Sequence, residues 1–67
     1  MNVRFTKTVS VDYEEARTAE IYDKTFSKGQ TLKDVGLEPL SRNFANIHLT
    51  NGDLVMSVPT NAFQVEE

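Results

Sequence analysis

The sequence predicts an all-β fold, a single small barrel of about five strands with a short 3₁₀ turn before the last strand. Three observations carry this prediction. Apolar and polar residues alternate from Val3 to Tyr13, Asn51-Gly52 is a turn signal between two alternating arms, and Pro59 begins a corner before a short final strand. Because period two is the spacing of a half-buried strand, the alternating stretches indicate β structure.

The first predicted strand runs from Val3 to Tyr13. Its odd positions are mostly apolar and its even positions polar, so one face is expected to enter the core. Lys7 is the only charged residue on that face, near an end where a long side chain can reach solvent.

The middle of the chain is less regular. Residues 14–28 are interpreted as a long excursion, in which residues 14–22 are either helical or extended. Gly29 is expected to take a positive φ in a turn. Residues 31–35 predict a short bent strand, and residues 36–43 predict a loop because they contain glycine, proline, serine and asparagine.

A hairpin about Asn51-Gly52 is the most strongly specified element. A type I′ turn needs a positive φ at both central residues, which asparagine and glycine tolerate best. With the turn there, the inward pairs are Leu49 with Leu54, Ile47 with Met56 and Ala45 with Val58, and the outward pairs are His48 with Val55 and Asn46 with Ser57.

The end of the chain is predicted to turn once and form a last strand. Pro59 ends the second arm of the hairpin, because it has no amide hydrogen for the ladder. Residues 59–63 fit one turn of 3₁₀ helix, and residues 63–67 a short strand with Phe63 and Val65 facing inward.

This order of elements resembles that of SH3-like barrels, and three stretches resemble their sequences. "VDYEEART" is similar to the strand that leads into the RT loop, "TFSKGQTL" to the stretch that leads out of it, and "VPTNAF" to the corner before the last strand. The chain is also similar to small SH3-like proteins of bacteria and their phages. The resemblance implies a barrel of residues 1–67 as one domain.

The resemblance does not extend to the groove with which SH3 domains bind proline-rich peptides. That groove is lined by aromatic side chains that dock a polyproline II helix. Val11 and Ala62 stand where two groove tyrosines would be, and the groove tryptophan has no counterpart, whereas Tyr13 and Pro59 match. The fold is therefore the expectation carried over, and proline-peptide binding is not.

Charge and composition exclude several functions. A net charge of −3 argues against sequence-independent binding to nucleic acid, which requires Lys and Arg to neutralise phosphates. No apolar run reaches membrane-spanning length, so a cytoplasmic protein is predicted. There is no cysteine, and His48 with Asp53 falls short of the three or four ligands of a stable metal site. We expect no catalysis, no cofactor and no metal.

The acidic stretch from Asp12 to Asp23 supplies the first candidate surface. It holds five carboxylates against one arginine. In SH3-like domains the corresponding loop often grips a basic residue of the ligand, through long-range attraction followed by charge-assisted hydrogen bonds. A solvated loop that keeps a small protein soluble would explain the same charges. The residues expected to contact a partner here are Tyr13, Glu14, Glu15 and Asp23.

A second candidate surface lies on the outward side of the predicted hairpin. Phe44, His48 and Val55 share that side, and Tyr22 is expected near them. Clusters of exposed apolar residues rimmed by polar ones mark interfaces. Because strongly curved strands also cover such positions, a place for Phe44 in the core stays open. The residues assigned to this surface are Phe44 and His48.

The predicted function is non-enzymatic binding to a protein partner with a basic surface, by an accessory factor of the phage or bacterial type. Neither nucleic acid nor a membrane is expected as a partner, and a homo-oligomer stays open. The alternatives are an acidic inhibitor that mimics the charge of DNA and a structural subunit of a larger assembly.

Overall fold

A computed structural model describes residues 1–66 and shows an all-β fold. Its elements form two antiparallel sheets, one in the order β4-β1-β8 and the other in the order β3-β2-β7-β6-β5. The elements are β1 Asn2–Phe5, β2 Val9–Glu14, β3 Ile21–Phe26, β4 Thr31–Leu32, β5 Gly36–Pro39, β6 Phe44–His48, β7 Leu54–Pro59, a 3₁₀ turn Thr60–Ala62 and β8 Phe63–Glu66.

The all-β class and the 3₁₀ turn before the last strand are therefore confirmed, but the finer architecture differs from the prediction. The described residues contain eight strands rather than about five. No ladder joins the two sheets within residues 1–66, so they do not close into one continuous barrel. The reason is that the predicted first strand breaks and contributes to both sheets.

That break separates β1 from β2. The amide of Thr6, just after β1, donates to the carbonyl of Ala62 at 2.8 Å. Lys7 lies in the break and is exposed. In a continuous strand its ammonium group would point toward the core, where an unpaired charge is costly to bury. The predicted inward face is confirmed by the burial of Val3, Phe5, Val11 and Tyr13.

Residues 14–28 contain the second arm of a hairpin and not a long excursion. β3 pairs along its whole length with β2. The amide of Glu15 donates to the carbonyl of Glu20 at 3.0 Å, which closes the connection between the two strands. Residues 14–22 are thus the end of β2, a turn and the start of β3. Gly29 has a φ of 90°, as expected for its turn.

The next two predictions are confirmed only in part. The bent strand predicted for residues 31–35 is limited to its first two residues, β4. The loop predicted for residues 36–43 begins with a strand, β5, which pairs with β6. Pro39 is tolerated in β5 because this is an edge strand, where the missing amide hydrogen is not needed by a neighbour. The loop-like composition of residues 36–43 therefore did not predict β5, which is stabilised by its pairing with β6.

The predicted hairpin is formed by β6 and β7, but part of its register is shifted by one residue. Ala45 lies opposite Val58, as predicted. Nearer the turn, Ile47 lies opposite Val55 rather than Met56. Val55 is therefore fully buried, and its predicted place on the outward face was wrong.

Two local features produce the shift. The turn is longer than a two-residue type I′ turn, since the amide of Leu49 donates to the carbonyl of Asp53 at 3.0 Å and the amide of Gly52 to that of Leu49 at 3.1 Å. Ser57 then forms a β-bulge with a φ of 51°, and its amide donates to Asn46 Oδ1 at 2.9 Å. The bulge re-aligns the strands, so β7 buries apolar side chains on both sides of it.

The final strand follows the prediction. Phe63 packs against the core, and Val65 lies directly opposite the buried Val3 on the same face, although its side chain is 45% exposed. β8 lies at the edge of the small sheet, where no further strand covers its end. Glu67, which the prediction included in this strand, lies outside the described residues.

The core lies between the two sheets. Phe5 of β1 stacks on Phe26 of β3 with ring centroids 4.8 Å apart, and Phe63 of β8 meets Phe5 edge-on at 6.4 Å. Aromatic pairs in these geometries contribute about 0.5–1.5 kcal/mol beyond the area that they bury. Because the stack joins one residue from each sheet, it holds the sheets together without a shared ladder.

The bulge at Ser57 gives a first test of this fold. Ser57→Gly should keep or raise the free energy of unfolding, by up to about 1 kcal/mol, because glycine takes a positive φ without steric strain. Ser57→Val should lower it by roughly 1–3 kcal/mol, since a β-branched residue is strained there. Urea unfolding measures both changes. Equal stability of the two variants would contradict the bulge.

Candidate functional site

Asp53 joins the turn of the β6–β7 hairpin to the turn of the β2–β3 hairpin. Its Oδ2 accepts a hydrogen bond from the hydroxyl of Tyr13, and its Oδ1 accepts one from the amide of Ala16 at 2.8 Å. The amide of Asp53 donates to Asn51 Oδ1 at 2.9 Å, so the turn itself presents the carboxylate. Gly52 permits the approach of the turns, because a Cβ there would lie 3.2 Å from that of Ala16.

This bridge changes the titration of both side chains. The hydrogen bond from the Ala16 amide, followed by that from Tyr13, lowers the pKa of Asp53 below its ordinary value of 3.8. Burial, followed by the hydrogen bond to Asp53, raises the pKa of Tyr13 to about 12. The tyrosine therefore stays a donor and the aspartate an acceptor throughout the neutral range.

The outward side of β2 and β3 carries Asp12, Glu14 and Asp23, which we call the acidic face. Asp12 on β2 lies directly opposite Asp23 on β3. Side chains opposed in this way have Cβ atoms about 4.5–5.5 Å apart, and like charges there destabilise the strand pair. Within residues 1–66, no Lys, Arg or His nitrogen forms an ion pair with these carboxylates.

Apolar side chains adjoin the acidic face. Ile21, which lies opposite Glu14, is 54% exposed. On the other side of β2, Leu54 and Met56 lie opposite Glu14 and Asp12 and are half-buried. The surface therefore offers charge that can attract a partner from a distance and apolar area that can be buried on contact.

The structure places the four residues predicted for the first surface in different environments. Glu14 and Asp23 belong to the acidic face, and Glu15 follows in the turn and is half-buried. Tyr13 points to the opposite side of the sheet and is only 5% exposed, with the Lys24 ammonium 4.5 Å from its ring centroid. Tyr13 therefore positions Asp53 from the inside, where a partner has little access to it.

Two important residues were not among those predicted. Asp12 begins the predicted acidic stretch but was not among the residues expected to contact a partner, and its importance follows from its pairing with Asp23. Asp53 follows Asn-Gly and has the appearance of ordinary turn chemistry. The Asp53 carboxylate is visible in the sequence, but its hydrogen-bond partner Tyr13 lies 40 residues earlier. Local sequence therefore does not connect the two residues.

The second predicted surface is dispersed. Phe44 is 44% exposed, so its side chain is not in the core. It lines an open pocket of about 330 Å³ together with Asn43, Pro59, Thr60 and Asn61. His48 lies at the other end of β6, where its Nε2 is 2.8 Å from Glu38 Oε1. That contact, followed by one from Asn46, lowers the pKa of Glu38.

The other two members expected near Phe44 lie elsewhere. Val55 is in the core, and Tyr22 packs beside Tyr13 with ring centroids 5.6 Å apart. Among residues 1–66, no three His, Asp or Glu side chains converge where a metal ion could be held. The same part of the chain contains no helix with the length and apolar character needed to cross a membrane.

Asp23→Asn should raise the free energy of unfolding by about 0.2–1 kcal/mol, because it removes a like-charge pair across β2 and β3. The gain should shrink in high salt, which screens exposed charges. Urea unfolding at two salt concentrations measures it. Asp34→Asn, the same change between β4 and β5, is the control and should have little effect. Destabilisation by Asp23→Asn would mean that this carboxylate has a stabilising contact.

The Asp53 bridge predicts a pH dependence. Because the folded pKa of Asp53 is lowered, its stabilisation is present above the unfolded value of 3.8 and is lost as the pH falls through the folded pKa. Asp53→Asn should therefore lower stability at pH 7 and flatten the decline below pH 4. Chemical unfolding across this range measures both effects.

Tyr13→Phe is the matched variant, since it removes the hydroxyl and keeps the ring in the core. The raised pKa of about 12 means that the contribution of Tyr13 is present below pH 10 and is lost as the pH rises through 12. Tyr13→Phe should abolish that alkaline loss and retain a reduced acid loss through the Ala16 amide. An unchanged profile in both variants would refute the bridge.

Comparison with known proteins gives no indication of function. The chain matches no protein-family model, no curated protein and no solved structure. The resemblance to SH3-like barrels consequently stays a prediction. A fold by itself does not define a function, so the side chains of the acidic face carry the proposal.

Proposed function

We propose that the protein is a non-enzymatic binding module for a protein with a basic surface, and that the acidic face is its contact. The opposition of Asp12 and Asp23, without a cation from residues 1–66, is the observation that supports this. A Lys or Arg of the partner placed beside both carboxylates would replace their repulsion with charge-assisted hydrogen bonds. Binding thus removes an electrostatic cost that the free protein carries.

The strand scaffold distinguishes this surface from a solvated acidic loop. Beside the two aspartates, the hydroxyls of Ser10 and Thr25 are hydrogen-bonded across the same strands at 2.7 Å. Paired strands hold the carboxylates in register, whereas a loop would let them move apart. A partner therefore meets charges that are already ordered, and less conformational entropy is lost on binding.

The proposed binding differs from the recognition of proline-rich peptides by SH3 domains. We propose a relation to SH3-like barrels at the level of element order, supported by the 3₁₀ turn that precedes β8. Val11 and Ala62, which stand at groove positions in that resemblance, are buried. An aromatic groove for a polyproline II helix is therefore not supported.

Neutralising both opposed carboxylates should abolish capture of the partner. Immobilised wild-type protein and the Asp12→Asn/Asp23→Asn variant are compared for the proteins that each retains from a cell lysate, identified by mass spectrometry. Because the variant lacks the like-charge pair, it should be at least as stable as the wild type. Lost capture would then report a lost contact and not unfolding.

The control is Asp34→Asn/Glu66→Gln, which makes the same charge change away from the acidic face and should retain the partner. The retained protein should have a basic surface and be released by salt. Equal loss of capture in the control would contradict a specific contact, as would a retained partner without basic residues. Release by double-stranded DNA would favour the alternative of an acidic inhibitor that mimics DNA.

A further inference from the structure

Among the described strands, β3 has the edge best able to accept another strand. Five of its six residues are exposed, and only β2 pairs with it. The other edge strands are shorter, with two residues in β4 and four each in β5 and β8, and β5 contains Pro39. Short length and proline are features that protect edges from pairing, and β3 has neither.

The peptide groups at this edge can be assigned from the ladder. The amide of Glu15 donates to the carbonyl of Glu20 at 3.0 Å, and antiparallel pairs alternate between bonded and non-bonded. With the observed register, the peptide groups of Tyr22 and Lys24 point toward β2. The groups that point away from β2, toward the free edge, are those of Ile21, Asp23 and Thr25.

We propose that β3 accepts an extended segment of the partner protein as an additional strand, and that this segment carries Lys or Arg opposite Asp23. This inference rests on the proposed function, because the cation would lie on the acidic face. Strand addition supplies main-chain hydrogen bonds for affinity, and alternate side chains supply specificity. A side chain opposite Asp23 would be about 4.5–5.5 Å from it, Cβ to Cβ, and Asp12 lies on its far side.

Charge also disfavours two of the registers in which a second copy of this chain could pair with β3. In a two-fold antiparallel pairing centred on Asp23, that residue faces its own copy. In the pairing centred on Lys24, lysine faces lysine. Like charges directly opposite one another destabilise a strand pair. The side chains that attract a basic segment therefore also destabilise these two pairings between the free edges of two copies.

The probe is a short acetylated and amidated peptide in which lysine alternates with valine, and a glutamate–valine peptide is its control. The lysine peptide should slow hydrogen exchange at the amides of Ile21, Asp23 and Thr25, measured by NMR. The amides of Tyr22 and Lys24, already bonded to β2, should not change. Methylating alternate amide nitrogens of the peptide should weaken binding at least roughly tenfold, because edge hydrogen bonds are lost.

Thr25→Pro removes one amide from the free edge and leaves the donors of the β2–β3 ladder in place. It should weaken binding of the lysine peptide roughly tenfold. Thr25→Val is the matched control, because it keeps the amide and loses only the hydroxyl that contacts Ser10 at 2.7 Å. It should bind like the wild type. If Thr25→Pro unfolds, the methylated peptide tests the same hydrogen bonds on folded wild-type protein.

The outcomes separate this inference from the proposed function. Binding of the lysine peptide without protection of the edge amides would overturn strand addition and leave the acidic face as the contact. Equal protection by the lysine and glutamate peptides would overturn the requirement for a cation opposite Asp23, whereas the proposed function is tested separately by capture of a basic protein. Absence of peptide binding at millimolar concentration, or self-association through β3, would overturn the inference alone, because capture of a basic protein tests the acidic face independently.

Discussion

The hydrogen bonds of Asp53 to the Tyr13 hydroxyl and the Ala16 amide are the constraint on which the candidate surface depends. They tie together the turns of two hairpins. The ladder between β2 and β7 contains only three residue pairs, so it holds the β2–β3 hairpin at one end. Asp53 braces that end with a carboxylate whose ionised form is favoured by its donors. The β2–β7 ladder and the hydrogen bonds of Asp53 together hold the acidic face beside β7.

The β2–β3 hairpin combines a well-packed inner side with a repulsive outer side. On the inner side, Tyr13 packs against Tyr22, and Phe26 stacks on Phe5. The outer side presents opposed carboxylates beside an uncovered strand edge. Packing of the inner side outweighs a repulsion of about 0.2–1 kcal/mol, so the fold can retain a locally unfavourable arrangement. Departures from local consistency of this kind are expected where a protein binds something else.

Local pattern explains which predictions succeeded. Alternation around Val3 and Val11 identified the buried face, and the proline after the hairpin identified the 3₁₀ turn, because both signals act within a few residues. β5 was missed because pairing with β6 makes it a strand, against its composition. Val55, and not the predicted Met56, lies opposite Ile47 because of the length of the turn and the bulge at Ser57. Neither follows from the Asn-Gly signal alone.

By itself, the sequence determined that this chain is β-rich, which side chains in its first segment are buried, and that a dense group of carboxylates precedes β3. The tertiary structure alone decided that Asp12 faces Asp23, that Tyr13 is inside, and that the edge of β3 is left open. The physical reason is that period two assigns a side chain to a face of a strand but not to a neighbour across it. Cross-strand neighbours are set by the register in which strands pair, and the opposed charges and free peptide groups of this surface exist only through that register.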